Sequence, residues 1–120
     1  MPIYRQIILL FNQAFVRGEI RPGERIPSIR EMSAFLKVNT NTIQRVYQEM
    51  EKDEQINSKR GIGYFFTEDL KTLEKTRRNL TVDSLRRFAD EMRALGCSDH
   101  DIMKELEIYI KGGKQNATCS

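Results

Sequence analysis

The sequence predicts a mainly helical α+β fold with one small β-hairpin. Three observations carry this. Apolar residues recur at i, i+3, i+4 and i+7 over most of the chain. A tip holding two cations and two glycines, Lys59-Arg60-Gly61-Ile62-Gly63, separates two brief β-prone segments. From about Asp69 onward no strand signal returns. A chain of 120 residues allows one domain, or a small domain with an appendage. The expected division is 1–68 and 69–120.

The first helix runs from Ile3 to Arg17. Tyr4, Ile7, Ile8, Phe11, Ala14 and Phe15 form a broad apolar face, Pro2 suits the start, and Gly18 suits the left-handed position after the end. Arg21-Pro22-Gly23-Glu24 is a turn, and Arg25-Ile26-Pro27 is at most a very short extended piece. Ser28 and Glu31 have the spacing of a capping box, so a second helix starts there. Its inward residues are expected to be Ile29, Met32, Phe35 and Leu36, with Arg30, Glu31 and Ser33 outward. A third helix follows within a few residues, capped by Asn39 or Thr40. Ile43, Val46, Tyr47 and Met50 point into a core. Its outward face carries Asn41, Thr42, Gln44, Arg45 and Gln48.

Two helices joined this closely, the second opening on small polar side chains, have the form of a helix-turn-helix. Asn and Gln can pair bidentately with adenine, and Arg with guanine, in the major groove. Ile56–Lys59 and Tyr64–Thr67 then make a hairpin directly after the third helix. That is a wing, and its basic, glycine-containing tip suits the sugar-phosphate backbone or the minor groove. The fold class is therefore an N-terminal winged helix-turn-helix followed by a two-helix tail.

These pieces together resemble the GntR family of bacterial transcription regulators, and within it the YtrA-type subfamily. The matching segments are Pro2 to Ile7, Gly18 to Glu31, Val38 to Tyr47 and Ser58 to Phe65. The resemblance implies that Arg30, with Ser28 beside it, grips DNA. It implies that Asn39, Thr40, Asn41, Thr42, Gln44 and Arg45 sit at or near the groove, and that Lys59, Arg60 and Gly61 form the wing contact. Two departures stand out. Glu54 occupies the usual place of a helix-ending glycine, so a looser end to the third helix is expected. Ile62 stands where the wing often has an arginine, which implies one phosphate contact fewer and a shallower salt slope.

Beyond Asp69, one long helix is expected to Gly96, with an irregularity near Asn79-Leu80-Thr81. Ser98 and Asp101 offer a second capping box, opening a short last helix that Gly112-Gly113 stop. Residues 114–120 are expected to fray. Two helices cannot enclose a core alone. Leu73, Leu80, Leu85, Phe88, Met92, Leu95, Ile102 and Leu106 are therefore expected to pair with a second copy, as YtrA-type tails do. Two heads on a two-fold axis would read an inverted repeat. The partners expected are double-stranded DNA and the protein itself, acting as a homodimeric repressor. An alternative is a winged protein–protein interaction module that does not read DNA.

Other functions find little support. The net charge is +3, with 10 Lys and Arg against 8 Asp and Glu up to Glu68 and 10 against 9 after it. Cations for DNA must then be placed locally. His100, the sole histidine, sits between Asp99 and Asp101, where acidic residues suit a helix start. Cys97 and Cys119 form no CxxC or zinc spacing and read as reduced thiols of a cytoplasmic protein. Arg60-Gly61-Ile62-Gly63 is too short for a phosphate-cradling loop. Asn116-Ala117-Thr118 matches a glycosylation sequon by chance. No apolar run approaches the roughly 20 residues that span a bilayer, and the amphipathic opening lacks a leader's cleavage pattern. No catalysis, metal, cofactor, membrane or small-molecule effector is expected.

Overall fold

A computed structural model describes residues 1–113 of the chain. The expected frayed tail, the sequon at Asn116 and Cys119 lie outside them. The helices are α1 (Ile3–Val16), α2 (Ile29–Leu36), α3 (Thr40–Lys52), α4 (Leu70–Ala94) and α5 (Asp99–Ile110). The strands are β1 (Arg25–Ile26), β2 (Ile56–Lys59) and β3 (Gly63–Phe66). The short extended piece before Pro27 is thus a strand in its own right. It completes an antiparallel sheet in the order β1-β3-β2, with Ile26 opposite Tyr64 and Ile56 opposite Phe66.

One core joins α1, α2, α3 and the sheet. Ile7, Phe15, Ile26, Met32, Ile43, Val46, Tyr47, Met50, Ile56 and Phe66 are all buried in it. Phe15 stacks on Phe66 at 5.3 Å, and Tyr47 meets Tyr64 edge-on at 4.9 Å. Tyr47 also donates its hydroxyl hydrogen to the Pro27 carbonyl at 2.8 Å, tying α3 to the link before α2. Burial raises the Tyr47 phenol well above its ordinary pKa, so the donor stays protonated.

The capping box at α2 forms: the Glu31 amide donates to Ser28 Oγ at 3.1 Å, and the Ser28 amide to Glu31 Oε1 at 3.2 Å. The bond from the Ser28 backbone holds the Glu31 carboxyl below its ordinary range. Its stabilisation is therefore present above the unfolded pKa and lost as pH falls through the folded one. One face of α2 differs from expectation. Ser33 is buried and Phe35 is 79% exposed. At 100° per residue the inward set is Ile29, Met32, Ser33 and Leu36, spaced i, i+3, i+4 and i+7, so Phe35 falls outside it.

The end of α3 is closed rather than loose. Glu54 takes the left-handed conformation (φ 61°), and the Gln55 amide donates to the Met50 carbonyl at 2.9 Å. A side chain costs about 1–2 kcal/mol in that conformation. Glu54→Gly is therefore expected to stabilise the protein by about 1 kcal/mol, read as a higher urea midpoint at unchanged slope.

α4 is one continuous helix, without the irregularity expected near Asn79. The chain divides into two compact units, the first Met1–Arg78 and the second beginning at Asn79. That division falls inside α4 rather than at 68/69. The first turns of α4 belong to the winged unit for a physical reason. Leu73 packs on its core, Thr76 is buried and accepts from Gln55 Nε2 at 3.3 Å, and Arg77 Nη2 donates to the Val16 carbonyl at 3.0 Å. Leu73, expected on the dimerisation surface, is thereby corrected to a core-packing residue.

In the second unit the capping box at Ser98 and Asp101 forms as expected. Ile102, also expected at a dimer interface, is buried within its own chain. Cys97 is buried and disulfide-bonded, which corrects the reading of it as a reduced thiol.

Candidate nucleic-acid interface

The N-terminus of α3 is built by Asn39, whose Oδ1 accepts from the Asn41 amide at 2.7 Å. That bond satisfies one of the open amides of the first turn and fixes where the helix starts. The helix phase then follows from the apolar residues. Ile43 and Val46 are 0% exposed, so the opposite edge is outward. Asn39, Thr40, Asn41, Gln44 and Arg45 are exposed along that edge, and Thr42 is half-buried at its side. In α2, Arg30 is exposed and Ser28, occupied as the cap, is half-buried.

The wing presents Lys59, Arg60 and Gly61, all exposed. Gly61 sits at φ 76° in the turn, and the Ile62 amide donates to the Lys59 carbonyl at 2.9 Å. A side chain there would be strained, so the tip backbone stays bare. Lys59 lies over the Phe65 ring, its Nζ 4.6 Å from the centroid. This contact carries the ammonium on the sheet face rather than leaving it loose in solvent. The hairpin is tied to the far end of α3, where Ser58 Oγ donates to Glu51 Oε2 at 2.8 Å. Ile62 is 58% exposed at the tip.

α1 adds a contact that helical periodicity does not reveal. Arg45 Nη2 donates to the Tyr4 hydroxyl at 3.1 Å, and its guanidinium carbon lies 3.9 Å from the Tyr4 ring centroid. The two residues are 41 positions apart. Tyr4 reads as one more apolar residue of α1, and only its hydroxyl could have hinted at a polar role.

Among the described residues no group of three or more His, Cys, Asp and Glu could hold a metal ion, and no helix is long and apolar enough to cross a membrane. The arrangement is chemically a row of hydrogen-bond donors and acceptors along α3, with exposed cations also on α2 and the wing.

Comparisons with known proteins point the same way. The family model described as bacterial regulatory proteins, gntR family, matches residues 3–66. The chain is 37% identical over 112 residues to the HTH-type transcriptional regulator YhcF of Bacillus subtilis (strain 168), covering 93% of each. It is 31% identical over 119 residues to the HTH-type transcriptional repressor YtrA of the same organism, covering 96% of this chain and 92% of that one. Among solved structures, a GntR family transcriptional regulator from Listeria monocytogenes superposes with a TM-score of 0.83 at 32% identity. There the match covers 95% of this chain and 96% of the other.

Proposed function

Because the chain belongs to the GntR family of bacterial regulatory proteins, and so to the DNA-binding transcriptional regulators rather than the enzymes, we propose that it is a homodimeric repressor. It reads an inverted-repeat operator with α3 and steadies the complex with its wing. The supporting observation is the polar outward edge of α3, anchored from behind by Ile43 and Val46. In this reading Asn41 and Gln44 meet base edges, and Arg30, Lys59, Arg60 and the Gly61 backbone meet phosphates. Asn39, Thr40, Thr42 and Ser28 line the approach. Residues up to Arg78 supply the reading head, those from Asn79 onward the dimer contacts, and the protein acts in the cytoplasm.

The dimer rests on α4 and α5. Leu85, Phe88, Met92 and Leu95 recur at i, i+3, i+7 and i+10 along α4, the spacing of a coiled-coil seam. Leu85 and Leu95 are 55% and 70% exposed in the single chain, while Leu80, Phe88, Met92 and Leu106 are half-buried. An apolar stripe of this kind on an isolated chain marks an interaction surface.

Selection of bound duplexes from a random pool tests the reading. An enriched inverted repeat is expected, and enrichment of no sequence would sink it. On the enriched operator, Asn41→Ala should cost about 1–3 kcal/mol and relax preference at one base position. Ile62→Arg should strengthen binding to any duplex and steepen the salt slope by about 0.9, measured by titration at several salt concentrations.

A further inference from the structure

The Tyr4 hydroxyl gathers two guanidinium groups. Arg45 Nη2 donates to it at 3.1 Å, and Arg5 Nε donates to it at 3.0 Å. Arg45 lies against the ring, and the Arg5 guanidinium carbon is 5.6 Å from the same centroid. Neither arginine forms a salt bridge among the described residues. Two like charges thus share one neutral oxygen with no carboxylate between them. The phenol accepts from both and keeps its own hydrogen to donate. Each guanidinium keeps further N–H donors beyond the one given to Tyr4, and guanidinium cannot accept.

We propose that Tyr4, Arg5 and Arg45 form a clamp for one phosphate of the DNA backbone, where the first turn of α1 meets α3. The inference rests on the reading of α3 as the DNA-facing helix. It alters the role expected of Arg45, from pairing with guanine to gripping the backbone. Two guanidinium forks converging on one point suit the several acceptor oxygens of a phosphodiester. A guanine edge offers room for one such fork. Tyr4 is a positioning residue here: its ring and hydroxyl hold the long Arg45 side chain in place before DNA arrives. Seated next to the edge formed by Asn41 and Gln44, a fixed phosphate contact would set the register of the helix in the groove.

The test compares the wild type with Arg5→Ala, Arg45→Ala, Tyr4→Phe and Asn41→Ala on the selected operator and on a scrambled duplex across a salt series. Thermal melts confirm that each variant is folded. Arg5→Ala and Arg45→Ala are each expected to weaken both duplexes by the same several-fold factor. Each should also lower the logarithmic salt slope by about 0.9, one phosphate contact. Tyr4→Phe keeps the ring and loses the hydroxyl. It should weaken both duplexes alike, and by a smaller factor in the Arg45→Ala background, where only the Arg5 bond to the hydroxyl is left to lose.

An operator-only loss from Arg45→Ala would return that residue to base reading and overturn the clamp. So would an unchanged slope in Arg5→Ala. Asn41→Ala separates the two levels. If it costs operator preference while Arg5 proves inert, the clamp alone is wrong; if it costs nothing, the α3 reading fails with it. Arg5 and Arg45 Nε resonances that respond to inorganic phosphate, with DNA affinity unchanged in the variants, would assign the site to a free anion and overturn the proposal.

Discussion

Leu85→Glu combined with Leu95→Glu will make the protein monomeric and lower its operator affinity by about two orders of magnitude or more. Both side chains are largely exposed in the single chain, so charging them should leave each chain folded. In a two-fold seam the same glutamates would face their copies, adding like charge to a desolvated contact. Losing the partner then removes one of two heads, and the gain from linking two binding events is commonly 10²–10⁴. Light scattering should read a mass near the 14.1 kDa of one chain. Affinity for a single half-site should be unaffected. A variant that stays dimeric would move the interface off this stripe.

Ile43→Ala carries the second largest expectation, a loss of about 2–5 kcal/mol of folding stability. Ile43 is 0% exposed and sits on α3 directly behind the outward edge. Truncation deletes buried methyl groups and leaves a cavity that Met50, Tyr47 and the sheet cannot fill without moving. Small domains have about 5–15 kcal/mol in total, so the loss is a large share. Urea unfolding should show it as a lower midpoint. A loss under about 1 kcal/mol would mean that the site collapses readily and that α3 is held mainly from elsewhere.

Much of the chain was legible from local rules. The two capping boxes, Ser28 with Glu31 and Ser98 with Asp101, are short-range devices whose spacing is their whole signal. Ile43, Val46, Tyr47 and Met50 fix the phase of α3 because helical geometry alone links i to i+3, i+4 and i+7. The hairpin was legible because glycines and cations interrupt two β-prone runs. In α2, residue type points Phe35 inward and Ser33 outward, but helical phase decides the reverse. Glu54 shows the converse. Without glycine the chain still adopts the left-handed turn, since the Gln55-to-Met50 bond and the sheet beyond it hold that conformation.

The sequence by itself determined which residues form helices, where two of them begin, and which edge of α3 is polar. Those properties depend on neighbours a few positions away. Only the tertiary structure decided that Arg25-Ile26 becomes an edge strand, that Leu73 joins the winged core instead of a dimer seam, and that Tyr4 holds Arg45. Each of these joins residues tens of positions apart. Periodicity says that a side chain faces inward or outward, but not which remote side chain it will meet there.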